Sequence, residues 1–295
     1  MPALGVKSTT KTKLTTTAAR IHPRISAQWN SVFVVLAVCL LVVIGTARIV
    51  STYDVFNQTT DEPASLAPGM EWLERGTYKI DPIHPPLARV AVAIGPYLSG
   101  ARLTGWNPQE NVWSQGNDIL FCRNRYLHDL SLARLGVLPF FVLGAFFVWH
   151  WARVRYGDMP AFLATFLFTT SPTVLGHAGV ATTDMAISAT FSGDLVAYIR
   201  FLKQPTYVRA VILGAATGFA TLCKFSALVF LPACAVVLLL WRWLLADGPR
   251  LVTRDHYRWM KALSLAVTVM VIVVWAGYRF SVGPLTDAPM HPDLM

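Results

Sequence analysis

The chain has 295 residues, of which 54% are hydrophobic and only 14% are charged, and its formal net charge is +9. Soluble globular domains carry about 25% charged residues, so this composition excludes an ordinary soluble domain. The basic residues lie beside apolar segments, which indicates orientation in a membrane and not nucleic-acid binding.

The N-terminal segment, residues 1–29, carries five Lys and Arg residues and no acidic residue. It is rich in Thr and poor in apolar residues, so we predict a disordered basic tail. The apolar run at 32–50 follows it. This run exceeds the about 7–15 residues of a signal-peptide core, so we favour an uncleaved membrane anchor.

Several further segments are apolar over a similar length. A hydrocarbon core about 30 Å thick needs about 20 apolar residues per helix. Seven segments approach that length: 32–50, 130–151, 160–175, 185–202, 208–222, 225–245 and 262–280. Those that begin at 160, 185 and 208 are short or interrupted by Ser, Thr and Gly. The sequence therefore predicts an all-α polytopic membrane protein with about seven transmembrane helices.

The distribution of basic residues predicts the orientation of these helices. If the chain crosses seven times, four hydrophilic segments on one side hold 15 of the 25 Lys and Arg residues. The side richer in Lys and Arg is usually cytoplasmic. We therefore predict a multi-pass protein of the plasma (inner) membrane with a cytoplasmic N-terminus, a transmembrane module at 30–280, and residues 51–129 and 281–295 outside.

The predicted external loop at 51–129 holds nine acidic and six basic residues, the reverse of the cytoplasmic segments. Leu66, Met70 and Leu73 recur at helical spacing and predict a helix at 63–75 that ends at Gly76. A second apolar helix is predicted at 86–103. Both are expected to lie in the membrane interface.

Two groups of polar residues in this loop could carry chemistry. Asp61 and Glu62 follow the first span, either as solvated charges that suit the start of a helix or as a general base at the membrane surface. His84 and Arg89 follow Asp81 around three prolines. They form either a rigid surface corner or an anion site, because His and Arg donate hydrogen bonds to phosphate oxygens.

This stretch resembles the first external loop of the dolichyl-phosphate-mannose protein O-mannosyltransferases and their bacterial relatives. That family belongs to the GT-C superfamily of multi-span glycosyltransferases, which use polyprenyl-phosphate sugars. The shared pattern is an Asp-Glu pair at 61–62, His-Pro-Pro-Leu and a basic residue at 84–89, and a Tyr-Leu turn at 95–100. The resemblance continues at Arg134, 171–172, 181–184 and 224–226, and covers about residues 31–280.

The resemblance implies roles for individual residues. Asp61 corresponds to the base or acceptor-orienting carboxylate, and Glu62 supports it. Residues that contact the donor phosphate or the substrate would be His84, Arg89, Arg134, Asp184 and Lys224. Three plainer interpretations stay open: Asp184 as a helix N-cap, and Lys224 and Arg134 as side chains that extend to the interface.

The implied activity is an inverting transfer of a mannose-like sugar from a polyprenyl-phosphate donor to a hydroxyl group on a protein, lipid or glycan acceptor. Membrane lipids are the other expected partners. No cofactor is predicted. The related aminoarabinose-to-lipid-A transferases have an acidic metal ligand where this chain has Ile83, so bound zinc is disfavoured and a divalent metal lacks support.

Two alternatives remain. Family members carry more spans and an external C-terminal domain, so the chain could be an incomplete fragment that binds a lipid-linked sugar, its tail at 281–295 truncated relative to the family. A secondary transporter would place ionisable groups near the middle of the bilayer. Here the charges are expected at the outer ends of the spans and in one loop, which disfavours transport.

Overall fold

The computed structural model describes residues 31–105, 111–245 and 256–282. The predicted tail at 1–29 and residues 283–295 of the predicted C-terminal tail lie outside these ranges. Within them, all regular secondary structure is helical, which confirms the predicted all-α class.

The helices follow one another with short connections. In chain order they are α1 (Ser31–Val50), α2 (Asp61–Arg75), α3 (Leu87–Leu98), α4 (Val112–Phe121), α5 (Tyr126–Leu135), α6 (Leu138–Tyr156), α7 (Asp158–Thr170), α8 (Pro172–Ala178), α9 (Asp184–Lys203), α10 (Tyr207–Cys223), α11 (Ala227–Leu245) and α12 (His256–Gly277).

All seven apolar segments predicted from the sequence are helical, but they differ in length. Four stretches are long and apolar enough to cross a membrane, at Val32–Val50, Tyr126–Tyr156, Asp184–Lys203 and Tyr257–Gly277. A fifth span forms if α7 and α8, which are bent by 59°, count as one. The bend falls at Ser171, because a residue before proline favours extended backbone. The α10 helix and residues Ala227–Trp241 are shorter, so the count of seven stays a prediction.

The long helices alternate in direction and pack closely. Helix α10 packs against both α9 and α12, and α6 packs against α7 and α9. Small residues allow the closest approach: a Cβ atom on Gly214 would lie 2.2 Å from the carbonyl oxygen of Ala266 on α12. Small residues at such positions are typical of helix pairs in membranes, where close backbone packing stabilises the contact.

The long loop that follows α1 folds into helices that share one hydrophobic core with α1, α6 and α9. Helix α2 packs against α3 and α4, and its Leu66 and Met70 are at most 1% exposed. The predicted helix at 63–75 is confirmed, and it ends at Gly76, whose φ is +69°. The second predicted helix ends earlier than expected, at Leu98, because the chain turns at Gly100 with φ +91°. Helix α4 was not predicted.

The alternation of the spans places two sets of helix termini at opposite ends. We call the end that carries the long loop the loop end. It contains the end of α1, the starts of α5, α9 and α11, and the end of α12. The opposite end carries seven Lys and Arg residues whose side chains the structure describes: Arg153, Arg155, Arg200, Lys203, Arg209, Arg258 and Lys261.

Candidate functional site

The Asp-Glu pair predicted to be catalytic begins α2, and its two carboxylates have very different surroundings. Glu62 is 1% exposed. Its Oε1 atom accepts hydrogen bonds from Arg134 Nε at 2.8 Å and from the Ala181 amide at 2.8 Å. Its Oε2 atom accepts from Arg134 Nη2 at 3.0 Å and from the Thr59 amide at 2.7 Å. Glu62 therefore ties α2 to α5 and to the α8–α9 connection.

Arg134 uses every N–H group that it has. Besides its two bonds to Glu62, it donates to the carbonyl oxygens of Tyr53 and Phe56 at 2.9 Å and of Asn57 at 3.0 Å. The side chain is 1% exposed. In this arrangement no N–H of Arg134 remains for a donor phosphate. Through its bonds to three carbonyl oxygens, Arg134 instead holds the backbone that follows α1 in position.

Asp61 contrasts with its neighbour. It is exposed, and within the described ranges its side chain makes no hydrogen bond or ion pair. A residue that begins a helix next to a fixed Glu62 has little backbone freedom. The fold therefore holds one free carboxylate in place at the loop end.

A cavity of ≈ 720 Å³ is lined by two partners of Glu62, Thr59 and Arg134, while Asp61 and Glu62 themselves are not part of its wall. The end of α1, the segment that follows it, and α8 complete the wall. Ligand sites for small molecules commonly have volumes of about 300–1,000 Å³. The cavity is thus large enough for a sugar.

A second polar cluster surrounds Asp81, a residue that was not singled out from the sequence. Arg89 Nη1 donates to Asp81 Oδ2 at 2.6 Å, and His84 Nδ1 lies 3.0 Å from the same oxygen. Burial alone would raise the pKa of Asp81. The hydrogen bond from His84 and the charge and hydrogen bond of Arg89 outweigh burial and lower this pKa to about 2. Asp81 is therefore an anion that orients both predicted phosphate ligands.

The hydrogen-bonding capacity of the buried polar atoms around Asp81 is only partly used. Arg89 is 5% exposed, and its Nε atom is buried without a well-aligned hydrogen-bond partner in the described structure, although the guanidinium lies close enough to the buried Tyr78 hydroxyl to interact with it. Burial raises the pKa of Tyr78, so its hydroxyl stays protonated. A buried donor without a hydrogen-bond partner destabilises the folded protein unless a ligand or a water molecule accepts its hydrogen bond. The cluster therefore keeps donors available beside the half-exposed His84.

Glu71 fixes the segment that leads to Asp81, and it too was missed. Its carboxylate accepts hydrogen bonds from Thr77 Oγ1 at 2.6 Å and from the amides of Lys79 and Ile80 at 2.8 Å each. The side chain is 1% exposed. A buried acid in an otherwise apolar helix face was the sequence signal that could have identified it.

The third cluster pairs Asp184 with Lys224. Lys224 Nζ lies 2.9 Å from Asp184 Oδ1, and His177 Nδ1 lies 3.7 Å from Asp184 Oδ2. Both members of the pair are partly exposed. The N-cap position of α9 is occupied by Thr183, and Asp184 is the first residue of the helix.

A small buried junction brings the last two clusters together. Ala88, Ala186 and Cys223 pack against each other. Ala88 precedes Arg89, Ala186 lies two residues after Asp184, and Cys223 precedes Lys224. The starts of α3 and α9 and the end of α10 therefore meet at the loop end.

Asp194 departs from the expectation that charged groups collect at the span ends. It lies midway along α9, is 4% exposed and accepts a 2.5 Å hydrogen bond from Thr217 Oγ1 of α10. The sequence could have identified Asp194, because it is an acidic residue inside an apolar segment and ionisable groups within membranes are usually functional or paired. Among the described residues, no group of three or more His, Cys, Asp or Glu side chains is placed to hold a metal ion.

The family model for dolichyl-phosphate-mannose-protein mannosyltransferase matches residues 130–280 of the chain. The chain belongs to this family. The mannosyltransferase match spans Arg134, Asp184 and Lys224, while Asp61 and His84 precede it. Because the chain belongs to this family and has several helices apolar and long enough to cross a membrane, it is an integral membrane glycosyltransferase of the mannosyltransferase type. No curated protein and no solved structure is similar enough to be matched to the chain.

Proposed function

We propose that this mannosyltransferase-family protein moves a mannose-like sugar from a polyprenyl-phosphate donor to a hydroxyl group at the external face, with inversion at the anomeric carbon. One observation carries the proposal: the exposed Asp61 carboxylate sits on a backbone that the four hydrogen bonds of Glu62 hold in place. A general base must be both accessible to substrate and fixed in position.

In the proposed reaction, Asp61 accepts the proton of the acceptor hydroxyl. The oxygen then forms a bond to the anomeric carbon, while the bond from that carbon to the phosphate oxygen breaks. Polyprenyl phosphate leaves with the electron pair. Attack from the face opposite the leaving group gives the inverted product.

Cationic groups at the loop end would hold the departing phosphate. We assign this contact to His84, Arg89 and Lys224, because charged hydrogen bonds to a developing phosphate anion stabilise the transition state. Asp81 Oδ2 lies 2.6 Å from Arg89 Nη1 and 3.0 Å from His84 Nδ1, and Asp184 Oδ1 lies 2.9 Å from Lys224 Nζ, so the two acids orient these side chains before the donor binds. Arg134 takes a positioning role in this scheme, since its donors serve Glu62 and the chain after α1.

The orientation follows from charge. The N-terminal tail and the hydrophilic segments at the opposite end together hold 15 of the 25 Lys and Arg residues, so we place the loop end outside. In a cysteine-free background, Ser114→Cys on the exposed face of α4 should react with a membrane-impermeant thiol reagent in intact cells. Gln204→Cys, at the opposite end, should react only after lysis. The reverse pattern would invert the orientation.

Transfer itself is tested with membranes that contain the protein and a radiolabelled polyprenyl-phosphate mannose. The proposal expects label to move into a protein, lipid or glycan fraction, and the Asp61→Asn variant to lack this transfer. Tight donor binding without any transfer would instead support the alternative of a protein that only binds lipid-linked sugar. Transfer from a nucleotide sugar alone would contradict the proposed donor.

A further inference from the structure

A second groove opens between α3 and α5, on residues that the proposed transfer does not use. Its volume is ≈ 700 Å³, and six apolar residues form most of its wall: Ala91, Ile94, Leu98, Leu132, Leu135 and Pro139. The two helices touch at its floor, where a Cβ atom on Gly136 would lie 2.1 Å from the Ala91 carbonyl oxygen. Leu98 is 78% exposed. An open apolar groove beside a span suits a hydrocarbon chain.

One end of this groove is polar and cationic. Ser99, Arg125 and His128 line it there. Asp129, which is fully buried, accepts hydrogen bonds from Ser99 Oγ at 3.0 Å and from His128 Nδ1 at 3.2 Å. His128 Nε2 in turn lies 3.2 Å from Arg125 Nη2.

These contacts indicate which ring nitrogen of His128 donates a hydrogen bond and which accepts one. Because Asp129 accepts from Nδ1, the His128 ring presents Nε2 as the acceptor for Arg125. The buried acid thereby orients the guanidinium at the mouth of the groove. Arg125 also stands at the N-cap of α5, whose first turn has no side-chain cap, and this adds amide donors on the same side.

We propose that this groove binds an anionic phospholipid of the surrounding bilayer, with one acyl chain between α3 and α5 and the phosphate at Arg125, whose guanidinium His128 orients. Charge complementarity favours this occupant: of the described residues that line the groove none is acidic, and the adjacent Asp129 is fully buried, with two hydrogen bonds to its Oδ1 atom and Arg123 Nη1 3.9 Å from its Oδ2 atom. The polar end lies at the start of the Tyr126–Tyr156 span, which is the depth of lipid headgroups. The bound lipid would hold α3, and with it the start of the segment that carries Arg89, against the second span.

The proposal is independent of sugar transfer and is tested by lipid retention. The purified full chain is exchanged into equal amounts of phosphatidylglycerol and phosphatidylcholine, and the lipids that stay bound are counted by native mass spectrometry. The wild type should retain phosphatidylglycerol in preference. Arg125→Gln combined with His128→Gln should lower that retention at least about tenfold, because charged hydrogen bonds are lost.

Two further variants separate a built site from general charge. Arg102→Gln removes an exposed arginine that follows α3 but does not line the groove, and retention should not change. Ala91→Leu narrows the apolar wall while both polar groups stay, so it should also lower retention even if the double variant folds poorly. Equal losses in Arg102→Gln and the double variant would overturn the proposal. Displacement of the lipid by stoichiometric polyprenyl phosphate would assign the groove to the donor and also overturn it.

Discussion

The Glu62 carboxylate and the Arg134 guanidinium form a bidentate ion pair, with Nε–Oε1 and Nη2–Oε2 distances of 2.8 and 3.0 Å. Each side chain is 1% exposed. The two residues lie 72 positions apart in the chain. The pair therefore joins the loop helix α2 to the start of the second span, and it does so one residue from the proposed base.

Removal of Arg134 should destabilise the protein strongly. Arg134→Gln leaves Glu62 buried without its charge partner, a change that costs about 3–5 kcal/mol when a buried pair is broken. Thermal unfolding of the purified protein measures this loss. Arg155→Gln, at an exposed site near the end of α6, should change stability by no more than about 0.5 kcal/mol. If the two variants unfold alike, the ion pair does not hold the loop.

Asp81 should make the loop sensitive to acid. Its pKa in the folded protein, about 2, lies below the ordinary value of 3.8, so folding favours the ionised form. The resulting stabilisation is fully present above about pH 4 and is lost as pH falls toward 2. Thermal unfolding between pH 6 and about pH 2 should therefore show a steeper decline for wild type than for Asp81→Asn. Parallel curves would show that Arg89 and His84 do not stabilise the Asp81 anion.

The close contact between α2 and α3 depends on Gly69. A Cβ atom there would lie 2.1 Å from the Arg89 carbonyl oxygen. This oxygen belongs to the backbone of α3, so it cannot move away without shifting the helix. Gly69→Ala should cost at least about 1–3 kcal/mol, the usual range for overpacking. The control is Gly176→Ala in α8, where an added Cβ meets no atom within 4 Å. Equal stability of the two variants would contradict this packing.

The sequence predicted the helical segments well because each is a long apolar run with a local signal at its end. Gly76 ends α2 and Pro172 starts α8, as their chemistry requires. The number of spans is less well determined, since Tyr207–Cys223 is short for a membrane. Helix α4 buries residues at helical spacing, but two of them, Gln115 and Gly116, are not apolar, so the apolar pattern is weak and the packing against α2 fixes its position.

The candidate site was predictable only in part. Asp61, His84 and Lys224 were proposed from the sequence because short motifs carry them, and their roles stay predictions. The sequence placed Glu62 beside Asp61 but could not show that its partners are Arg134 and the Ala181 amide, which are distant in the chain. Asp81 and Glu71 bind partners at most nine positions away in the chain, but the loop conformation that brings these partners to the carboxylates follows from no helical or apolar pattern.

The predicted phosphate ligands should affect the requirement for donor. Arg89→Ala or Lys224→Ala removes a charged hydrogen bond worth about 1.5–3 kcal/mol, so the apparent KM for the lipid-linked sugar should rise roughly ten- to hundredfold. Lys79→Ala is the control, because Lys79 is exposed and contributes only its backbone amide to Glu71. An unchanged KM in both site variants would leave Arg89 and Lys224 with structural roles alone.

The role of Asp61 as the base is the central claim, and the Asp61→Asn variant tests it most directly. Asn has nearly the same shape and Asp61 makes no side-chain bond within the described structure, so the apparent unfolding temperature should not change. An amide cannot accept a proton at neutral pH, so transfer from labelled polyprenyl-phosphate mannose should fall at least ~100-fold. Full transfer by a stable Asp61→Asn protein, beside an active wild type, would contradict the account.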